Sequence, residues 1–314
     1  MKEGGAANLK MAASYRDLLV NRGAYTVQSY VPDAGGKYYY YRPRDQRRLT
    51  LETIRDHLNG LITVGLYAID PRSQCSKWLA VDADYATALN DLLKLRYAMK
   101  EDGLEPALEQ SRRGAHLWVF GAEPLPARCW RLYIHNLALK IGVPVKKDKT
   151  EGIEIFPRQD ELGLDEFGNA IRGPLGIHRA TKKQYWFYDA AKNVTAQMDY
   201  LARLGRVKPM DMERLIEGLT MPEEFRPKPN IVLPPINPTR HEFRILAHIS
   251  GKLTRHGRDY RTRCPSCALK GGDKRGHKLA ILIADPRTYR CWGGCTKEEI
   301  RAAVGCPIRY KRVG

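Results

Sequence analysis

The stretch KWLAVDADYA, residues 77–86, places Asp82 and Asp84 at the end of an apolar run. Side chains two positions apart in a β-strand point to the same face, so both carboxylates project together, about 6–7 Å apart along the strand. Two unpaired carboxylates repel each other, and the pKa of one of them rises. A divalent cation between them removes the repulsion, and Mg²⁺ or Mn²⁺ prefers such oxygen ligands. The pair therefore predicts a metal site, unless it only opens a turn or caps the next helix.

The charge of the chain predicts an anionic partner. The 314 residues are 43% hydrophobic, which allows about two globular domains, and the formal net charge is +18. Nucleic acid is the usual partner of such a chain, and the alternative is a merely basic surface. The excess is densest from Lys252 to Gly314, with 16 Lys and Arg against 5 Asp and Glu. Neither a secretory signal nor a membrane-spanning run is visible, so we expect no membrane partner and a cytoplasmic location.

The hydrophobic pattern predicts an α+β fold with a central mixed or antiparallel sheet. Helical periodicity predicts helices at residues 8–21, 49–60, 86–100, 127–142 and 191–219. Apolar or alternating runs predict strands at residues 62–69, 77–84, 106–111, 116–121, 152–157, 169–175 and 183–189. The runs between residues 62 and 84 predict one hairpin, and the turn Arg112-Arg113-Gly114 predicts another. Hairpins among mixed elements favour α+β over a parallel doubly wound domain.

The composition also predicts where the domains divide. We expect a catalytic domain at 1–190, a helical extension at 191–222, a linker at 223–240 and a small second domain at 241–314. The linker is predicted from five prolines between residues 227 and 238, which make a semi-rigid segment.

Three further segments predict groups that converge on the Asp82–Asp84 pair. EQSRRGAHLWVF, residues 109–120, is a plausible triphosphate cradle, because it joins a hydroxyl, two arginines, a glycine and a histidine at one turn. Glu154 lies between two isoleucines, which is out of pattern for a buried strand. GNAIRGPLGIHRATKK, residues 168–183, adds a cluster of cations.

The order of these motifs resembles the archaeo-eukaryotic primase superfamily, in particular primase-polymerases of phages, plasmids and mobile elements. The resemblance covers residues 38–190. The matching motifs are the D-x-D strand, a serine-to-histidine strand, a third acidic residue, and an arginine before a nearby histidine. In this chain they are Asp82 and Asp84, Ser111 with His116, Glu154, and Arg172 with His178. The third acid is often Asp in the family, and Asp160 is a rival of Glu154 for that position.

The resemblance implies template-directed synthesis of nucleic acid, with a catalytic half that is similar to an RNA-recognition motif. Asp82, Asp84 and Glu154 would bind two Mg²⁺ or Mn²⁺ ions. The incoming NTP or dNTP would be held by a second set of residues: Ser111, Arg113, His116, Arg172 and His178. Single-stranded DNA would be the template, and a helicase or another replication protein is the further partner considered.

Five of the seven cysteines lie between Cys264 and Cys306, which predicts a metal site rather than disulfides in a cytosolic protein. The spacing is C-x2-C, 23 residues, then C-x3-C, and it predicts a zinc site of four thiolates. The ligands would be Cys264, Cys267, Cys291 and Cys295. A redox C-x-x-C is the alternative, and His256 or His277 could replace a thiolate.

The cysteine segments also resemble the zinc-binding domain of bacterial and plasmid primases. Those domains usually carry histidine where this chain has Cys267. The resemblance implies that the second domain engages the template and helps to start a primer. Tyr260, Tyr289 and Trp292 alternate with arginines and could stack on bases, although at least one of them is expected to pack on the zinc loop.

The leading hypothesis is therefore a DNA primase with DNA polymerase activity, a nucleotidyltransferase that releases pyrophosphate. The first alternative is a replication-initiator or origin-binding protein without synthesis. The three retained acids argue against it, because a pure binder gains nothing from carboxylates that face phosphate. The second alternative is a gap-filling repair polymerase, and a zinc module that starts primers argues against that.

Overall fold

A computed structural model describes residues 7–43, 48–147, 150–226 and 243–308. The chain divides into two units, Met1–Pro227 and Lys228–Gly314. Most of the proline-rich linker expected at 223–240 lies outside the described residues. Its first residues form a 3₁₀ turn, Glu223–Phe225, which closes the described part of the first unit.

The first unit alternates helices and short strands. In chain order the elements are α1 (Leu9–Leu19), β1 (Tyr25–Gln28), β2 (Tyr40–Tyr41), α2 (Leu51–Leu58), β3 (Val64–Tyr67), β4 (Cys75–Ala83), α3 (Ala88–Glu101), β5 (Ala107–Gln110), β6 (Ala115–Pro126), α4 (Ala127–Lys140), β7 (Glu154–Phe156), β8 (Ala170–Arg172), β9 (Ile177–His178), β10 (Lys183–Gln184), α5 (Val194–Arg203) and α6 (Pro209–Ile216). Asn8, Thr50 and Asn193 begin α1, α2 and α5, since each side chain accepts a backbone N–H of the first turn.

The central sheet has the order β5-β6-β4-β7, and each neighbouring pair is antiparallel. Helix α3 follows β4 and helix α4 follows β6, so the chain order is β-α-β-β-α-β. This is the topology of ferredoxin-like folds and RNA-recognition motifs. The α+β class and the RNA-recognition-motif-like half predicted from the sequence are confirmed.

A second sheet, in the order β2-β1-β3-β8, lies over one face of the central sheet. The core between the two sheets contains Trp78, Trp118 and Phe120 from the central sheet and Leu66 from the second. The other face of the central sheet packs its leucines and valines against α3, α4 and α6. Burying both faces leaves only the strand ends open, and polar side chains collect there.

The hairpin predicted between residues 62 and 84 is wrong. Strand β3 pairs with β1 and β8 in the second sheet, whereas β4 pairs with β6 and β7 in the central sheet. Between the two runs only a single bridge forms, from Asp70 to Cys75. Both runs are apolar on both faces, so each can lie inside a sheet of its own, and the turn between them carries the chain from one layer to the other.

The strand predicted at 183–189 is only partly present. Lys183–Gln184 pairs with Ile177–His178 as a two-residue hairpin. The following residues run along the edge of β5, where Gln110 donates its N–H to the carbonyl of Trp186 and Tyr188 donates to that of Leu108. The two halves of the segment therefore pair with different strands.

Strand β1 has no counterpart among the elements predicted from the sequence.

His57 fixes helix α2 to the loop that follows β8. Its Nδ1 accepts the N–H of Val64, and its Nε2 donates to the carbonyl oxygen of Pro174, 2.9 Å away. A Cβ at Gly176 would lie 1.9 Å from the ring, so only glycine fits there. The loop that leads from Arg172 to His178 is thus held by a buried, neutral imidazole.

Acid is expected to destabilise the first unit through His57. Burial lowers the pKa of His57 from 6.5 to about 4, so the unfolded chain binds more protons between these values and stability falls as the pH falls through them. From pH 7 to pH 4 this residue contributes a loss of about 3 kcal/mol. Denaturant titrations at both pH values should show a smaller loss for His57→Gln than for the wild type. Equal losses would contradict this role.

The second unit is a four-stranded antiparallel sheet with short helices. Its elements are β11 (Thr254–His256), β12 (Asp259–Thr262), α7 (Pro265–Leu269), β13 (Leu279–Leu282), β14 (Tyr289–Cys291) and α8 (Lys297–Ala303), after a 3₁₀ turn at Ile245–His248. The sheet order is β11-β12-β13-β14, and one face packs on Ile245 and Ile300. None of the helices in the described ranges of either unit is long and apolar enough to cross a membrane.

Candidate active site

A row of four polar residues crosses the central sheet where β4 ends. Asp82 lies directly opposite His116 of β6 on one side and opposite Glu154 of β7 on the other. Glu109 of β5 lies opposite His116 and completes the row. Directly paired residues of antiparallel strands have Cβ atoms about 4.5–5.5 Å apart, so neighbouring members of the row are in reach of each other.

Asp84 lies one residue beyond β4 and faces the same cavity as Asp82. Its carboxylate pairs with the guanidinium of Arg113, in the turn between β5 and β6. Gly114 permits this approach, because a Cβ there would lie 2.0 Å from the carbonyl oxygen of Ala83. In the same turn the Ser111 hydroxyl accepts the N–H of Gly114. The hairpin turn is therefore fastened to the end of the D-x-D strand.

Glu109 is the buried centre of a charge network that joins the two sheets. One carboxylate oxygen accepts from His116 Nδ1 at 2.8 Å and from the indole N–H of Trp118 at 3.0 Å. The other accepts from Arg172 Nη2 of β8, at 2.7 Å. His116 Nε2 lies 3.4 Å from a carboxylate oxygen of Asp82. The network thus links Arg172 of the second sheet to Asp82 of the central sheet.

Each group in this network is held in its charged form. Burial alone lowers the pKa of His116, but the charges of Asp82 and Glu109 outweigh it and raise that pKa to about 9. Burial alone raises the pKa of Glu109, but Arg172 and His116 bring it below its usual value. The pKa of Asp82 is lowered in the same way, against burial, chiefly by His116. At neutral pH two anions and two cations therefore alternate along the network.

His178 is a neutral donor that lines the same cavity. Burial, with the charges of Arg172 and Arg112, lowers the pKa of His178 to about 4. Its Nδ1 accepts the N–H of Thr181 at 3.3 Å, so the proton of the neutral ring is on Nε2. The sequence-predicted residues line one cavity of about 290 Å³. They are Asp82, Asp84, Ser111, Arg113, His116, Glu154, Arg172 and His178.

Of the two rivals for the third acidic position, the structure brings Glu154 beside Asp82 and leaves Asp160 elsewhere. Glu154 pairs with Asp82 in the strand register, and its carboxylate contacts the ammonium of Lys146. Asp160 is instead paired with Arg131 of α4 and does not line the cavity. Facing carboxylates on neighbouring strands are unfavourable unless a cation lies near them, and Lys146 supplies one at Glu154.

Comparison with known proteins decides the family. The model of the TOTE conflict system, archaeo-eukaryotic primase domain, matches residues 25–215, which is more than half of the chain. The chain belongs to the archaeo-eukaryotic primase superfamily. Domains of this family are of the primase and polymerase type and carry out nucleotidyl transfer on DNA. No curated protein matches the chain.

Several solved structures are similar to this primase-family chain, at low identity. The catalytic domain of primase RepB′ in complex with initiator DNA is 14% identical and covers 67% of this chain and 93% of its own, with a TM-score of 0.34. The polymerase domain of Mycobacterium tuberculosis ligase D in complex with DNA is 12% identical, covers 68% and 92%, and has a TM-score of 0.36. The primase-polymerase domain of cyanophage S-2L is 12% identical, covers 68% and 100%, and has a TM-score of 0.37.

The second unit brings four cysteine sulfurs together. The Sγ atoms of Cys264, Cys267, Cys291 and Cys295 all lie within 4.8 Å of one another. Cys267 Sγ is 3.5 Å from Cys291 Sγ and 3.4 Å from Cys295 Sγ, close to the separation of about 3.8 Å around a tetrahedral zinc ion. A Cβ at Gly293 would lie 2.9 Å from Cys267 Sγ, so this glycine keeps the sulfurs accessible. The cluster fits a metal ion bound by four thiolates, and His256 and His277 are not part of it.

Removing the metal is expected to unfold the second unit and to leave the first one folded. A four-thiolate site contributes much of the folding free energy of so small a unit. Hydrogen–deuterium exchange should rise across 254–303 after chelation or in Cys291→Ser, with 9–216 unchanged. Cys306→Ser is the matched control, because Cys306 lies outside the cluster, near His248. Full protection of 254–303 in Cys291→Ser would contradict the metal site.

The open face of the second sheet is basic and carries one exposed aromatic ring. Arg261 and Arg290 both flank Ala280 on this face, and each guanidinium carbon lies 5.0 Å from the centre of the Trp292 ring. Trp292 is 57% exposed, whereas Tyr289 is buried and Tyr260 is half-buried in the core of the unit. Of the three predicted stacking residues, Trp292 is therefore the one whose ring is open to a base.

Sequence reasoning missed Glu109 and Lys146 as members of the site. Arg112 lines the cavity beside Arg113, and Lys146 contacts Glu154 from the loop before β7. The signal for Glu109 was present, because a charged residue in the middle of an apolar strand needs a partner. Counting back from the turn places it opposite His116. No local sequence pattern predicts the second partner of Glu109, which is Arg172, 63 residues away.

Proposed function

We propose that the chain is a DNA-templated primase with DNA polymerase activity. The observation that carries this is the alignment of Asp82 with Glu154 across β4 and β7, with Asp84 beside them, in a cavity whose other walls are cationic. Three carboxylates would repel each other there without cations, and the arginines and histidines that line the same cavity suit an anionic substrate. Nucleotidyl transfer uses both halves of this arrangement.

The donor set fits Mg²⁺ or Mn²⁺. Asp82, Asp84 and Glu154 offer only carboxylate oxygens, which these ions prefer, and the cavity leaves room for water and substrate oxygens. Two such ions, held by these carboxylates, would activate an attacking 3′-hydroxyl and stabilise the leaving pyrophosphate. His116 contacts Asp82 and so orients its carboxylate. Lys146 pairs with Glu154, and Arg113 pairs with Asp84.

The cationic wall would hold the incoming triphosphate. Arg172 is fixed by Glu109, so little conformational freedom is lost when it binds a phosphate. His178 offers its Nε2–H, and Ser111, Arg113 and His116 line the same cavity. In the reaction a 3′-oxygen bonds to the α-phosphorus while the bond to the pyrophosphate oxygen breaks. The wall neutralises the charge that develops on that oxygen.

The second unit would bind the single-stranded template. Base stacking on Trp292 and phosphate contacts with Arg261 and Arg290 are the two components of sequence-tolerant single-strand binding. Zinc, held by the four cysteines, would maintain the sheet that presents these residues. This role suits the start of a primer, when no paired strand is present to hold the template.

A primer-free reaction tests the proposal. The full-length protein is incubated with single-stranded DNA, labelled NTPs or dNTPs, and Mg²⁺ or Mn²⁺. We expect short products complementary to the template, and longer ones when a primer is added. Tight template binding without product in either reaction would favour the initiator or origin-binding protein. Product only at primed gaps would favour the gap-filling polymerase.

A further inference from the structure

A second cavity, of about 340 Å³, shares Glu154 in its lining with the first. It is bounded by α4 on one side and by β7 and the loop before it on the other. Its polar lining consists of Arg131, His135, Lys146, Glu154 and Arg158, and Phe225 closes one end. Glu154 belongs to the walls of both cavities, so whatever binds here lies next to the proposed metal site.

Two buried polar atoms of this lining have no partner among the described residues. They are Nε of Arg131 and Nδ1 of His135, on residues that are only 8% and 5% exposed. Buried donors and acceptors are almost always hydrogen-bonded in native proteins, and exceptions call for an explanation such as a ligand. Both atoms belong to side chains that line the same cavity, so a single polar ligand would explain both.

The charge of the lining selects an anion. Arg131, Lys146 and Arg158 contribute three cations, against Glu154 as the acidic residue of the lining. Asp160, which pairs with Arg131, lies outside the lining. Arg158 is exposed and makes no hydrogen bond or ion pair with any residue in the described ranges. A free guanidinium at the rim and cations inside are the usual groups for binding phosphate.

The neutral imidazole of His135 can donate or accept a hydrogen bond without adding charge to the cavity. Burial, followed by the charges of Arg131 and Lys147, lowers the pKa of His135 to about 3. The ring of Phe225 packs against it, tilted by 38°, with ring centres 4.2 Å apart, and Lys147 Nζ lies 4.6 Å from the centre of the Phe225 ring. Lys147 also pairs with Glu224. The 3₁₀ turn at the end of the first unit thus fixes the imidazole against the cavity.

We infer that this cavity binds the 5′-phosphates of the nucleotide that starts the new strand. The inference rests on the proposed priming function. A first nucleotide with its phosphates in this cavity can present its 3′-hydroxyl past Glu154 to the cavity that holds the incoming triphosphate. Starting a strand requires two nucleotides to be held at once, and the two cavities that share Glu154 provide a phosphate site for each.

The test compares starting nucleosides that differ only in their 5′ group. Dinucleotide synthesis is measured with a 5′-triphosphate starter and with the corresponding nucleoside, beside extension of a preformed primer. For the wild type we expect kcat/KM to be at least tenfold higher with the triphosphate starter. Arg158→Ala and His135→Phe should abolish most of that preference and should reduce initiation at least fivefold more than extension.

Two features of the variants separate binding from folding. His135→Phe keeps an aromatic ring against Phe225 and removes the unpartnered Nδ1, so a loss of initiation with unchanged thermal stability is not a folding defect. Arg203→Ala is the matched control for charge, since Arg203 is an exposed residue of α5 that lines neither cavity. It should leave the starter preference at the wild-type value.

The other outcomes overturn the inference in distinguishable ways. A wild type that starts equally well on nucleoside and triphosphate refutes the phosphate site alone. Variants that lose initiation and extension in equal measure show that the cavity binds a primer backbone phosphate instead. A wild type that extends primers but never starts one refutes the priming function, and this inference with it.

Discussion

Asp82→Asn is expected to lower the rate of nucleotide incorporation by about a thousandfold or more while the fold is retained. The change keeps the size of the side chain but removes the charge that lies between His116 and Glu154. Removing that charge weakens the ligand set for both metals and leaves His116 paired with Glu109 only. Single-turnover primer extension in Mg²⁺ and in Mn²⁺ measures the effect, and circular dichroism checks the fold.

Asp160→Asn is the informative comparison for Asp82→Asn. Asp160 was the rival third acid, and the structure pairs it with Arg131 outside the catalytic cavity. We expect a loss of less than about tenfold for Asp160→Asn and a loss similar to that of Asp82→Asn for Glu154→Gln. A large loss for Asp160→Asn together with an active Glu154→Gln would reverse the assignment of the third acid.

Glu109→Gln is expected to destabilise the first unit by about 3 kcal/mol or more. The amide leaves Arg172 buried without its counter-charge and leaves His116 with Asp82 as its remaining one. An unpaired buried charge costs more than the pair contributes. Arg172 would also lose the contact that fixes it, so nucleotide binding should weaken as well. Urea unfolding followed by tryptophan fluorescence measures the loss of unfolding free energy, with exposed Glu101→Gln as the control.

A double-mutant cycle tests whether this loss comes from the network. Glu109→Gln combined with Arg172→Gln should cost clearly less than the sum of the two single changes, because each single change leaves the other charge unpaired. Additive losses, or a loss below 1 kcal/mol for Glu109→Gln alone, would show that the network does not hold the two sheets together.

The sequence predicted the site better than it predicted the sheets. The alternation of side chains along β4 placed Asp82 and Asp84 on one face without any long-range information. The apolar neighbours of Glu154 marked it as out of pattern, and β7 indeed lies beside β4. The cysteine spacing also predicted the four-sulfur cluster from local information, since a short loop brings the two sulfurs of each C-x2-C or C-x3-C pair together.

What the sequence could not predict depends on contacts between layers. The runs at 62–69 and 77–84 look alike because both are apolar, and only packing assigns one to each sheet. The bond from Glu109 to Arg172 joins those sheets, so it depends on that assignment. The cavity beside Glu154 depends on the contact of Phe225 with His135 of α4, and the hydrophobic periodicity of the sequence does not predict that contact.

The charge pattern explains how a chain with a net charge of +18 holds three acids in one cavity. Each carboxylate already has a cation beside it, with His116 at Asp82, Arg113 at Asp84 and Lys146 at Glu154. At Asp82 the charge of His116 lowers the pKa and so favours the ionised carboxylate, which is the form that binds metal. The remaining positive charge of the wall is then available to the triphosphate.

The position of bound Mn²⁺ tests the central claim most directly. Crystals grown with Mn²⁺ and a non-hydrolysable dNTP analogue can be measured at a wavelength where manganese scatters anomalously. The account predicts two peaks within about 2.3 Å of carboxylate oxygens of Asp82, Asp84 or Glu154, with the analogue's phosphates against Arg172 and His178. Mn²⁺ and analogue bound elsewhere, in protein that still incorporates nucleotides, would contradict it.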